Sequence, residues 1–269
     1  MDQLKDLDNI LKPSPKMPVL FVGHGNPMNA ILDNEITRTW SKIGSNLPEA
    51  QAFIVISAHW LTEGTHITDA PKQPIIYDMY GFPPELYQVE YRAKGDLNIA
   101  KILQEAFLKY EAQLDGTWGL DHGTWSVMKF LAPKPSVPVL QVSLDMSMTL
   151  PQLVTMFKLL KPLRKKGVIF IGSGNLVHNL RLLNFYDNKI FDWAQEFDYI
   201  AAKQMDEHNL DLLVNPKKMT KAADFAVAFD DHYRPMLAAM SLLDKNEELQ
   251  YFNQVIDMGS LSMRSFIAG

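Results

Sequence analysis

Four short apolar runs punctuate the chain: Val19–Val22, Ala52–Ser57, Val137–Leu144 and Val168–Ile171. Each is rich in Val, Ile, Leu or Phe and is bounded by Gly, Pro, Ser or Asn. A run that is apolar at consecutive positions suits a strand covered on both faces, as in a parallel sheet between helix layers. Between the runs the period changes. Asp96 stands as N-cap to residues 97–110, where Ala100, Leu103, Phe107 and Tyr110 recur at helical spacing. Residues 150–165, about 190–213 and 232–242 also read as helices. The alternation predicts an α/β fold: a single domain over residues 1–269, with a central, mostly parallel sheet flanked by helices. Residues 1–16 form an N-terminal extension in this reading, with Pro13 and Pro15 separating a short helix from the first strand. Residues 71–95 are the longest irregular stretch, and loops of that length in compact domains are usually functional.

Composition narrows function more than fold. The 269 residues carry 26 basic and 31 acidic side chains, a formal charge of −5. No basic excess is available to release counterions from DNA or RNA, so nucleic-acid binding is not expected. There is no cysteine. Disulfide scaffolds, Cys-based zinc sites, iron–sulfur clusters and thiol nucleophiles are therefore excluded. No stretch approaches 18 consecutive apolar residues, and residues 1–16 contain no run resembling a signal peptide. The expectation is a cytoplasmic protein without a membrane partner.

Seven histidines occur, and three follow strands directly. His24 comes after Val19–Val22, within Gly23-His24-Gly25-Asn26-Pro27. His59 comes after Ala52–Ser57, within Ser57-Ala58-His59-Trp60. His178 comes after Val168–Ile171 and the turn Gly172-Ser173-Gly174-Asn175. Open α/β sheets bind ligands outside the carboxyl ends of their strands, so these imidazoles can meet although far apart in sequence. His122 and His232 lie in loop-like settings, the second at the start of a predicted helix. His66 and His208 have no supporting context and read as structural. Convergent imidazoles without cysteine suit a borderline divalent metal such as Fe(II) or Zn(II). Asp121, Asp230 and Asp231 are the nearby carboxylates that could complete a two-His, one-carboxylate triad, and a third imidazole could take that place.

Competing motifs fail. Ile171 precedes Gly172-Ser173-Gly174, so G-x-S-x-G is incomplete, and Val177 breaks G-x-G-x-x-G. The segment from Tyr77 to Tyr87, followed by Tyr91, concentrates aromatics in the long loop. It reads equally as one wall of a pocket for a flat aromatic ligand or as a loop packed on the sheet.

Taken in order, His24-Gly25-Asn26-Pro27, Ser57-Ala58-His59-Trp60, Tyr77-Asp78-Met79-Tyr80-Gly81-Phe82-Pro83, Gly119-Leu120-Asp121-His122-Gly123-Thr124-Trp125, Gly172-Ser173-Gly174-Asn175-Leu176-Val177-His178-Asn179 and Asp231-His232-Tyr233 form a recognisable set. The set resembles the DOPA-dioxygenase-type extradiol ring-opening enzymes, of the class III, protocatechuate 4,5-dioxygenase-like superfamily. The likeness runs from about residue 17 to the end, where Ser260–Phe266 resembles the family's closing strand.

That resemblance implies one divalent metal per chain, held by His24, His59 and His232: Fe(II) for oxygen chemistry, or Zn(II) as isolated. It implies His178 as acid/base, with ligation of the ion as the alternative, and His122 as a second catalytic residue steadying substrate or oxygen. Better-studied members use Glu as third ligand, where His232 stands here. The implied partners are a small aromatic diol and O2, and the implied product is a ring-opened semialdehyde. Two rivals share the same residues. A zinc-dependent hydrolase would act without oxygen, and a non-catalytic metal-binding interaction protein would not need both His178 and His122.

Overall fold

A computed structural model of the chain describes residues 9–184 and 189–269. The four apolar runs become β1 (Val19–Gly23), β2 (Ala52–Ser57), β3 (Val139–Gln141) and β4 (Val168–Gly174). With β5 (Gln250–Phe252) and β6 (Ser265–Ala268) they form one sheet in the order β5-β6-β1-β4-β2-β3. The first four strands run parallel, while β6 lies antiparallel to β1 and β5 antiparallel to β6. Gly23 pairs with Gly174, and Ser173 with Ser57, so three strands end level at one rim.

Period-two alternation divides these continuous apolar strands between two cores. Val19, Phe21, Ile54, Ile56 and Phe170 face one, and Leu20, Val22, Val55 and Ile171 the other. Full burial of each such side chain contributes about 1.5–3 kcal/mol. The second core is covered by α1 (Glu35–Ser45), α3 (His122–Leu131) and part of the long loop. The first core is covered by α2 (Leu97–Ala106), α4 (Leu150–Phe157), α5 (Asp192–Asp206) and α6 (Arg234–Ser241). No described helix is long and apolar enough to cross a membrane.

Where structure and sequence reading differ, a local cause is visible. The run Val137–Leu144 splits: Pro138, which has no N–H to donate, precedes β3, and Leu144–Asp145 pairs instead with Leu61–Thr62. The predicted helix 150–165 ends at Phe157 and tightens into a 3₁₀ stretch containing Pro162. The expected helix 190–213 breaks where His208 adopts φ 49°, and resumes only at Leu210–Leu213. His122 is not in a loop: it opens α3, because the Asp121 side chain caps that helix by accepting the Thr124 N–H at 3.0 Å. The expected N-terminal helix falls largely on residues 1–8, outside the described residues. Residues 11–17 are tied to the body: Leu11 is buried, and the Ser14 N–H donates to the Lys165 carbonyl at 2.9 Å.

Candidate active site

Five of the seven histidines meet beyond the level rim. His24 leaves β1 and His59 leaves β2, while His122 stands at the head of α3. His178 follows β4, and His232 precedes α6. The His24 and His59 rings lie 5.0 Å apart, His24 and His232 5.2 Å, and His59 and His232 4.9 Å, centroid to centroid. His59 and His122 approach to 3.8 Å. His178 stacks on His232 at 3.4 Å with the planes 5° apart. His66 and His208 lie elsewhere, His208 with its Nε2 2.7 Å from the Glu247 carbonyl oxygen.

Small residues let these segments close in. A Cβ on Gly174 would strike the His232 carbonyl oxygen, which instead accepts the Asn175 N–H at 2.9 Å. A Cβ on Gly123 would strike Ser57 Oγ and the His59 ring. Close backbone approach, rather than a phosphate-binding turn, is therefore what these glycines provide.

The hydrogen-bond network assigns tautomers. Ser173 Oγ donates its one proton to the Gly123 carbonyl, so at 3.0 Å from His24 Nδ1 it accepts from that nitrogen. His24 Nε2 then carries a lone pair, and it faces His59 Nε2 at 3.1 Å. Asp78 organises the other side. Its Oδ1 accepts the His122 backbone N–H at 2.8 Å, and its Oδ2 accepts from His122 Nδ1 at 2.9 Å. The same Oδ2 lies 3.4 Å from His59 Nδ1, which favours the proton there and a lone pair on His59 Nε2.

Electrostatically the cluster is short of positive charge it can hold by itself. Burial, then the neighbouring His232, His122 and His178, push the proton affinity of His24 well down. Burial and the same kind of neighbours do so for His59. His178 is lowered to about 3 by burial and by His232, against the opposing pull of Asp231. Asp231 lies at about 2: burial would raise it, but its contacts with His232 outweigh that effect. All three imidazoles are thus neutral near pH 7.

A divalent ion fits this arrangement. One ligand atom each from His24, His59 and His232 lies within 4.8 Å of the other two. Donor nitrogens on one ion at about 2.0–2.1 Å, subtending roughly 90–110°, stand roughly 2.9–3.4 Å apart, which brackets the observed Nε2–Nε2 distance. His232 Nδ1 is buried without a hydrogen bond: Asp231 Oδ1, at 3.1 Å, is out of line for one. Two further groups could hold an ion, His59 with Asp78 and His122, and His178 with Asp231 and His232. The second is a poor chelate, because parallel stacked imidazoles direct their in-plane lone pairs alongside each other rather than at a common point.

The expected carboxylates serve other ends. Asp121 is fully buried, accepting from Ser57 Oγ at 2.7 Å, Gln141 Nε2 at 2.7 Å and the Thr124 N–H. Burial, and after it the charge of Asp78, raise it to about 6. Asp230 is paired with Arg234 at 2.8 Å. Asp78 was missed as a site residue; its signal was its standing as the single acidic residue among the loop's aromatics at 77–83. The aromatics themselves mostly pack. Tyr77 donates to the Val89 carbonyl, Tyr91 to that of Ala132, and Tyr80 points into solvent.

Known proteins share this chain's pattern. Residues 16–260 match the family described as the catalytic LigB subunit of aromatic ring-opening dioxygenase. The 4,5-DOPA dioxygenase extradiol of Escherichia coli (strain K12) is 36% identical over 269 residues, covering 97% of this chain and 98% of that protein. That of Beta vulgaris is 30% identical over 256 residues, covering 91% and 94%. The crystal structure of an uncharacterized protein from Escherichia coli K12 is similar at a TM-score of 0.84 and 34% identity, covering 94% of this chain and 100% of that one.

Proposed function

We propose a substrate and a division of labour for this extradiol ring-cleavage dioxygenase, a chain that belongs to the family of the catalytic LigB subunit of aromatic ring-opening dioxygenase. The substrate is a catechol such as L-DOPA, opened with O2 to a semialdehyde. Both oxygen atoms enter the product as the ring carbon–carbon bond beside the diol breaks. The observation that carries this reading is the convergence of His24, His59 and His232 with two further imidazoles at their side.

In this reading His24, His59 and His232 hold one divalent ion. When bound, such an ion acidifies the diol, and as Fe(II) rather than Zn(II) it also supplies the electrons that activate O2. Ser173 and Asp78 fix the ligand tautomers by engaging the remote nitrogens of His24 and His59. His178 serves as the acid/base, a role that its ring, stacked parallel to His232, favours over ligation. Burial keeps it neutral and ready to accept a diol proton, and the Asp231 carboxylate stabilises the imidazolium that results. His122, its Nδ1–H held by Asp78, presents the Nε2 lone pair, which accepts a hydrogen bond from a hydroxyl of the bound substrate and orients it.

Anaerobic reconstitution with Fe(II), followed by L-DOPA and air, tests the assignment. A yellow ring-opened product and stoichiometric O2 uptake are expected. Lack of turnover with every catechol offered would refute it.

A further inference from the structure

Beside His178 opens a cavity of about 420 Å³, lined among others by Leu180, Arg181, Leu182, Phe229 and Asp231. That volume suits a small ligand, for which sites run roughly 300–1,000 Å³. Among its described residues the wall is mainly apolar and carries two charges of opposite sign. Asp231 belongs to the histidine cluster, within reach of His178 and His232. Arg181 lies over the exposed ring of Phe229, its guanidinium carbon 5.6 Å from the centroid.

Arg181 is unlike every other arginine in the chain. Arg38, Arg92, Arg164, Arg234 and Arg264 each hold a carboxylate at 2.6–2.8 Å. The guanidinium of Arg181 has no hydrogen-bond or carboxylate partner among the described residues. Its backbone, by contrast, is anchored. The Arg181 N–H donates to Asn179 Oδ1 at 3.1 Å, and buried Asn179 is itself held by the Phe225 carbonyl and by Ser260 Oγ. An unpaired guanidinium on the wall of a pocket suits a planar anion.

We propose that Arg181 determines specificity, taking the carboxylate of the side chain of a catechol whose diol sits at the histidine cluster. The proposal rests on the ring-opening reading above. Asp231 supports the polarity: it repels a carboxylate from the histidine end, and Arg181 is the one Lys or Arg among the described residues of this wall. The substrate class is then a catechol with a carboxylate-bearing chain, preferred over catechol or an alkyl catechol.

The test compares L-DOPA, 3-(3,4-dihydroxyphenyl)propionate and 4-methylcatechol on the Fe(II)-loaded wild type, Arg181→Gln and Arg181→Lys. Loss of a charge-assisted contact predicts a KM about tenfold or more higher for both carboxylates in Arg181→Gln, with kcat little changed. Arg181→Lys should recover part of the loss, and 4-methylcatechol should be unaffected. Anaerobic calorimetry with 3-(3,4-dihydroxyphenyl)propionate and 4-methylcatechol reads the same contact without turnover. Equal effects on charged and uncharged catechols, or none on the carboxylates, would overturn the proposal. If the wild type opens no catechol at all, the ring-opening reading fails instead, and the calorimetric difference still reports on Arg181.

Discussion

The sheet carries buried ionisable groups at both ends, and they are treated in opposite ways. Ahead of β4, Arg164 is fully buried. Its guanidinium donates to the Met17 and Leu242 carbonyls at 2.8 and 2.9 Å, and to both oxygens of Glu247 at 2.6 and 2.8 Å. Glu247 also meets Lys16 at 2.9 Å and accepts the Asp244 N–H. Beyond the other end of the same strand, His24 and His59 face one another nitrogen to nitrogen, and His232 Nδ1 has no hydrogen bond. A knot in which each charge is matched does structural work. Imidazoles whose lone pairs converge are complete only around a cation supplied from outside, and that difference separates site from scaffold.

Substitutions should separate the two ends. The largest effect on function is expected from His59→Ala, which removes a ligand: turnover should vanish and bound metal be lost, with the apo fold intact by circular dichroism. At the scaffold end Glu247→Ala should leave turnover per folded molecule unchanged but cost about 3–5 kcal/mol in urea unfolding, because it strands a buried guanidinium. A paired replacement, Arg164→Met with Glu247→Met, should recover most of that loss. If the single variant is as stable as wild type, the knot is not structural.

Smaller effects sharpen the contrast. Asp78→Asn keeps the shape but weakens the hold on His122 and His59, so metal affinity should fall roughly 10–100-fold. An unchanged metal dissociation constant would remove Asp78 from the site. Acid titration of the metal-free protein should then show two windows. His178 has a folded pKa of about 3, below its ordinary 6.5, so its stabilising contribution is full above pH 6.5 and is lost as pH falls below it. Between pH 7 and 5 it can account for at most about 2 kcal/mol. His24 and His59 are lowered too and share that window, so His178→Gln should reduce the slope there by up to that amount without abolishing it. Glu247 lies at about 2 although burial raises it, because Arg164, the Asp244 N–H and Lys16 outweigh burial. Its contribution is full above pH 4.5 and is lost towards pH 2, so Glu247→Gln should reduce the slope in the lower window, which Asp231 and Asp244 share, and leave the upper one unchanged. A wild-type profile flat from 7 to 5 would contradict the first assignment.

How far the sequence reveals this molecule depends on whether the signal is local. β1, β2 and β4 are legible because strands buried on both faces are apolar at successive positions, and their ends place His24, His59 and His178. α3 is not legible by periodicity: eight of its ten residues are buried, so no polar face marks it. α1 hides for the opposite reason, with only Thr37 and Trp40 fully buried along eleven residues. Asp78 joins His122 across 44 residues and carries no spacing signal of its own. Arg181 follows His178 by three residues, yet only the pairing of every other arginine makes it conspicuous.

The central claim is that three particular imidazoles, and not the two beside them, hold one ion. Anaerobic Fe(II) titration with metal analysis of wild type and the five His→Ala variants tests it directly. One ion per chain is expected in wild type, His122→Ala and His178→Ala, and none in His24→Ala, His59→Ala and His232→Ala. Retention of the ion by any of the last three, or its loss from His178→Ala, would contradict the account.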